Sequence, residues 1–269
     1  MELIKSNERR RDNPIESTKY FLNCQERIID DTNTRSWLIV KNILYSSKIM
    51  LGLLKNNMQV VIKIGSKHQI DREYQISKQL RLFKHFTRYI CTFFCKDDLN
   101  KYKITGNKKD DGLCEPDGPD QIHAIIMPYY SLGSFLKYNW NYANFIQFKN
   151  LLKDIIKMLV YVNSEVGFLH NDLHLENIML KYTKKGELTF DLIDFELSSI
   201  NKNDIKSNIK SNIKLGQNFR KLFVDLFKFE YINETSITNC IAFTNIMRDP
   251  FESANINDLY KLIDNLSLK

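Results

Sequence analysis

Glycine and proline are scarce in this chain, at 9 and 5 of 269 residues. Such a composition excludes collagen-like repeats and linker-like chains. No stretch approaches the roughly 18 consecutive apolar residues of a membrane-crossing helix. No membrane partner is therefore expected. The opening segment, MELIKSNERRRDN, lacks the apolar core of a secretory signal. Cysteine is also sparse, at 5 residues, which is too few for a disulfide scaffold at this length. Cys91 and Cys95 stand in a C-x-x-x-C spacing, but no second Cys/His pair follows at zinc spacing. Reduced thiols and a cytoplasmic location are the expectation.

What is present is ordinary globular material. Hydrophobic residues make up 43%, charged residues 26% and aromatic residues 12%. A chain of this length buries roughly three quarters of its unfolded surface, and the aromatics supply apolar area to offset ordering entropy. The net charge is +7. An excess of that sign suits nucleic acid, anionic membrane or acidic substrates. The lysines are scattered, however, and Arg9-Arg10-Arg11 is the one tight cluster. A solvated basic surface follows, and no specific nucleic-acid binding is expected. The oligomeric state is not legible. The abundance of Asn, Ile and Lys is typical of AT-rich coding sequence.

Residues 1–33 are polar and read as an N-terminal extension with room for one helix. SWLIVKNILY, MLGLL and QVVIKI are short β-rich runs separated by polar turns, the pattern of an antiparallel meander. The period then changes. In DREYQISKQLRLF, residues Tyr74, Ile76, Leu80 and Phe83 share a helical face. Asp71 and Glu73 are placed in the first turn, where the helix dipole favours negative charge. ICTFFC (90–95) and HAIIM (123–127) read as strands flanking a polar loop over 96–121. Beyond Pro128, SFLKY starts a short helix. A long helix runs from Phe145 through Phe148, Leu152, Ile155, Ile156 and Leu159 to a stop at Gly167. IMLKYT and LTFDLIDF pair as a hairpin. IKSNIKSNIK (205–214) is a low-complexity, irregular connection, and 217–231 is a helix. The whole is an α+β chain with strands segregated before helices.

The richest segment chemically is His170-Asn171-Asp172-Leu173-His174-Leu175-Glu176-Asn177. Asp194-Phe195-Glu196 follows at the end of a strand, and Lys63 ends the VVIK run ten residues before Glu73. The patterns H-x-D-x-x-x-x-N, D-F-x after a hairpin, and V-x-I-K followed by a Glu-bearing helix resemble the protein-kinase-like superfamily. The resemblance covers roughly 34–230. It implies a two-lobed fold, with an extension at 1–33, a β-rich N-lobe at 34–127 and a shortened, mainly helical C-lobe at 128–269. It also implies ATP and Mg²⁺ as cofactors. Asn177 and Asp194 would ligate the metal, because hard cations take oxygen ligands. Lys63 would meet the α- and β-phosphates, held by an ion pair with Glu73. Asp172 would orient the acceptor hydroxyl and take its proton. His170 would brace the loop from below, and Asn177 would also bond the Asp172 backbone. Met127, at the end of a strand, and Tyr129, in the following hinge with Pro128 and Tyr130, would face the adenine.

This sequence departs from the family pattern at four places. The phosphate-covering loop lacks glycine and reads Tyr45-Ser46-Ser47-Lys48-Ile49. Glycine allows the closest backbone approach to phosphate, so Ser46, Ser47 and Lys48 would have to substitute. His174 stands where serine/threonine kinases carry Lys, and the resulting D-L-H resembles haspin-like kinases and small-molecule kinases; it could touch the γ-phosphate, with a charge that depends on pH. Asn171 replaces an Arg that binds a phosphorylated activation loop. Glu196 replaces a Gly, and no A-P-E triplet follows in the remaining 73 residues. Three readings stay open: an atypical serine/threonine protein kinase acting on a protein substrate, a small-molecule kinase, or a nucleotide-binding interaction module without catalysis. The short form and the Asn/Ile/Lys bias also resemble divergent kinases of large DNA viruses. That origin would place the chain in host cytoplasm or in the virion.

Overall fold

The structure, a computed structural model, describes residues 27–28, 38–46, 49–54, 58–94, 123–201, 208–246 and 253–269. The chain is a mixed α+β protein dividing into two compact units, Met1–Tyr129 and Tyr130–Lys269.

The first unit is built on a six-stranded sheet. Its strands are β1 (Arg27–Ile28), β2 (Leu38–Ser46), β3 (Ile49–Leu54), β4 (Gln59–Gly65), β5 (Cys91–Phe94) and β6 (His123–Pro128), in the order β1-β5-β6-β4-β3-β2. Strands β2, β3 and β4 form an antiparallel meander, β6 pairs antiparallel with both β4 and β5, and β1 runs parallel to β5. Alternation sets the facing of β4. Val60 and Ile62 are fully buried, while Gln59 is exposed and Lys63 half-buried. Strand β6 is central and reads as an unbroken buried run from His123 to Met127. The boundary expected after Met127 lies inside this strand, and the division between units comes after Tyr129. The strand β1 stands where room for an N-terminal helix was expected, and the rest of 1–33 lies outside the described residues.

Helix α1 (Lys67–Leu80) starts earlier than its apolar period suggests. Ser66 and Gln69 form a reciprocal capping box, the Ser66 hydroxyl accepting from the Gln69 amide and the Gln69 carboxamide accepting from the Ser66 amide. Asp71 and Glu73 therefore fall beyond the first turn, which carries no acid. The buried stripe also shifts. It runs through Ile70, Glu73, Ser77 and Leu80 with Ile76 alongside, whereas Tyr74 and Phe83 are half-buried. Polar Glu73 and Ser77 can sit on this face because each has a partner. The Ser77 hydroxyl donates to the Thr87 carbonyl at 2.9 Å.

The second unit packs around helix α2 (Phe145–Val166). Phe148, Leu152, Ile155 and Ile156 are fully buried on it. Phe148 meets Phe135, Trp140 and Phe229 at ring-centroid distances of 5.1, 5.1 and 5.6 Å. SFLKY is a turn rather than a helix. Ser134 bridges to Met179, and the Phe135 carbonyl is taken by the Trp140 indole N–H at 2.8 Å. Strand β7 (Phe168–Leu169) pairs with β10 (Ser199–Ile200), and β8 (Ile178–Tyr182) forms a hairpin with β9 (Leu188–Leu192). Helix α3 (Asn208–Asp225) begins inside the low-complexity repeat, and a 3₁₀ turn over Leu226–Lys228 ends it. Ile205, Ile209 and Ile213 recur every four residues, which is a helical rather than a structureless period. Helices α4 (Glu234–Ile246) and α5 (Ser253–Asp264) follow, α4 packing on α3 and α5 on both α4 and α2. Asn233 caps α4, its side-chain oxygen accepting from the Thr235 and Ser236 amides at 3.0 and 3.3 Å. No helix among the described residues is long and apolar enough to cross a membrane.

Gly167 ends α2 in the left-handed region at φ 66°, and its amide donates to the Asn163 carbonyl at 2.8 Å. A Cβ there would stand 2.2 Å from the Asn201 backbone oxygen. Gly133, at φ 74°, has open space around it. Gly133→Ala is expected to cost about 1 kcal/mol from backbone strain alone. Gly167→Ala adds a backbone clash and is expected to cost at least about 2 kcal/mol. Denaturant unfolding of the two variants checks this, and equal losses would contradict it.

Candidate functional site

In the first unit, β4 presents Lys63 and α1 presents Glu73. Lys63 Nζ lies 2.8 Å from Glu73 Oε2, with the carboxylate side chain fully buried and the lysine 15% exposed. The other carboxylate oxygen accepts from the Tyr89 hydroxyl. A carboxylate taken out of water needs such partners, and here a cation and a phenol provide them. The sequence reading paired Lys63 with Glu73 but missed Tyr89. Its signal is weak, because Tyr89 is one of several aromatics in the segment after the helix, with Phe83, Phe86, Phe93 and Phe94 close by in sequence.

In the second unit, the segment from His170 to Asn177 leaves β7 as a loop and enters β8 through a 3₁₀ turn over Leu175–Asn177. Three anchors shape it. The Asn177 amide nitrogen donates to the Asp172 carbonyl at 3.0 Å. The Leu175 backbone N–H donates to Asp225 Oδ2 on α3 at 2.8 Å. The Ser198 hydroxyl donates to the His170 carbonyl at 3.0 Å. Asn171 sits in the left-handed region at φ 62°, which Asn tolerates better than most residues. Its side-chain nitrogen donates to the Leu197 carbonyl at 3.0 Å. Asp172 is left 35% exposed, with His174 Nε2 3.6 Å from one carboxylate oxygen and Lys221 Nζ 3.4 Å from the other.

Asp194 follows β9, also in the left-handed region at φ 62°. The residue before it ties the two segments together. The Ile193 N–H donates to the Asn177 carbonyl, and the Ile193 carbonyl accepts from His170 Nε2, both at 3.0 Å. The structure thus brings Asp172, His174, Asn177 and Asp194 onto one loop and one adjoining strand end. His170 lies beneath them, 1% exposed, with the Phe195 ring edge-on at a centroid distance of 5.8 Å. Burial pushes its pKa down to about 4. The bond to Ile193 and the charges of Asp194 and Asp172 oppose that shift, and His174 adds to it. The imidazole is neutral at pH 7, with its Nε2 proton on the Ile193 carbonyl.

Met127 is buried in β6 and pairs with Val61. Tyr129 is 38% exposed, and its amide donates to the Gln59 carbonyl. Ser46 is the last residue of β2, whereas Ser47 and Lys48 lie outside the described residues. The structure also reveals Asp225 and Lys221, which sequence reasoning passed over. Asp225 had a legible signal. It is an acid among Phe219, Leu222, Phe223 and Leu226, all buried, and a charge in such a stretch needs a buried donor. Neither a protein-family model nor a curated protein sequence matches this chain.

Two stability predictions follow from the buried charges and the buried imidazole. Lys63→Met leaves Glu73 with no cation in its ion pair and is expected to cost about 3 kcal/mol. Lys63→Met with Glu73→Leu is expected to recover part of that loss, measured by denaturant unfolding. His170 takes a proton near pH 6.5 when unfolded but only near pH 4 when folded. Its contribution is therefore present above pH 6.5 and lost as pH falls through that window. Between pH 7 and 5 the loss is about 2 kcal/mol. His170→Phe removes the titrating group, so its unfolding free energy should fall less over the same interval.

Proposed function

We propose that the chain is an ATP-dependent phosphotransferase, an atypical serine/threonine protein kinase that passes the γ-phosphate of ATP to a protein hydroxyl. The fold that goes with this reading is protein-kinase-like, with a β-rich N-lobe and a shortened helical C-lobe. One observation carries it. A half-exposed carboxylate, Asp172, stands on a braced loop whose Asn177 is bonded both to the Asp172 carbonyl and to the residue before Asp194. That arrangement suits a base next to a pair of oxygen donors.

The donor set fits Mg²⁺. With its nitrogen engaged on Asp172, the Asn177 amide offers its oxygen, and Asp194 offers a carboxylate. Both are hard ligands of the kind this cation prefers. Bound there, the metal would neutralise phosphate charge. Lys63, held by Glu73, is assigned to the α- and β-phosphates. Met127 and Tyr129 are assigned to the adenine, and Ser46 and Ser47 to the phosphate side. Asp172 orients the acceptor hydroxyl and takes its proton. The acceptor oxygen then bonds to the γ-phosphorus as the bond to the β–γ bridging oxygen breaks and ADP leaves. Positioning and charge neutralisation do most of this work. His174, 3.6 Å from the Asp172 carboxylate, is placed to accompany it.

The test joins Mg²⁺-dependent thermal stabilisation by ATP to transfer of labelled phosphate onto the chain itself and onto casein. Asp172→Asn is expected to keep the nucleotide shift and to lower transfer by about 10²-fold or more, the usual contribution of a general base. Asp194→Asn is expected to abolish the Mg²⁺ dependence of the shift. A wild-type chain that binds nucleotide yet never transfers phosphate would instead be a nucleotide-binding module. Transfer onto metabolites alone would mark a small-molecule kinase.

A further inference from the structure

We propose that Lys221 is a positioning residue for Asp172, an ammonium delivered from helix α3 that sets the direction of the carboxylate. The proposal rests on the phosphotransfer reading for its kinetic consequence, though not for its geometry. Lys221 and Asp225 are four residues apart on α3 and so share a helix face. Asp225 is buried and fixed, accepting from the Leu175 amide at 2.8 Å. That contact sets which way the face points. Lys221, one turn earlier, reaches the other end of the same loop. Its Nζ donates to the Asn171 carbonyl at 2.9 Å and stands 3.4 Å from Asp172 Oδ1.

The polarity is matched along the face. The acid of α3 takes a backbone N–H, while the base takes a backbone carbonyl and the adjoining carboxylate. Asn171 is the residue at φ 62°, so the lysine holds the carbonyl of the least favourable backbone position in the loop. Lys221 is 53% exposed, and a pair so open to water adds little to global stability. Its effect is on orientation. Reacting groups misplaced by about 1 Å can lose as much as 10²-fold in rate.

The experiment compares wild type, Lys221→Met and Lys221→Arg. It measures phosphate transfer from labelled Mg²⁺-ATP to the chain and to casein, KM for ATP, and hydrogen exchange of peptides spanning 169–177. Lys221→Met should lower kcat ten- to hundredfold, leave KM for ATP within about twofold, and speed exchange of the loop while leaving the rest of the chain unchanged. Lys221→Arg should restore kcat to within about threefold and restore the protection. An unchanged kcat in Lys221→Met overturns the proposal, as does a loss not restored by arginine. If wild type transfers no phosphate, the phosphotransfer reading falls, and loop exchange alone decides. Faster exchange in Lys221→Met, reversed by arginine, upholds the positioning role, and unchanged exchange overturns it.

Discussion

A neutral imidazole under a polar loop is the constraint on which the second unit depends. His170 donates from Nε2 to the Ile193 carbonyl, and Ile193 in turn donates to Asn177. These bonds join the loop after β7 to the strand end after β9. Leu173 and Leu175 are fully buried and anchor the loop on its apolar side, while its backbone polar groups need hydrogen-bond partners of their own. Burial of His170 between Phe168 and Phe195 removes its charge, and only the uncharged ring can lie there at modest cost. The price of that arrangement is sensitivity to acid.

The supports divide by chemistry. Beneath the loop, buried groups do the fixing: His170, Asn177 and Asp225 are all 8% exposed or less. At its surface, polar groups stay wet, and Asp172, His174 and Lys221 are each 30% exposed or more. On the proposed phosphotransfer reading, this division leaves the Asp172 carboxylate open to an acceptor while bonds beneath hold its backbone. The first unit solves a different problem. Glu73 is fully buried, and Lys63 with Tyr89 supplies the partners that make this tolerable. A pair of this kind adds little net stability but fixes the lysine's direction.

Much of this was legible before any coordinates. Strand periods located β3, β4 and β6, and the long apolar stripe located α2 and its glycine stop. Other elements were hidden for identifiable reasons. The start of α1 is set by a Ser66–Gln69 capping box rather than by apolar spacing. The first turns of α3 lie in a repeat whose low complexity masks its four-residue period. Strands β7 and β10 are two residues each and exist only because they find one another across the fold.

Residue order alone determined the chemistry on offer: which acids, amides and histidines stand on one short loop, and which lysine stands in a β-run ahead of a helix with a glutamate. Tertiary structure alone decided which of them are held and how. Asp225 and Lys221 lie some fifty positions from the loop they grip. Contacts at such separation leave no local period in a sequence, because a side chain's partner is set by how helix and loop pack rather than by spacing along the chain.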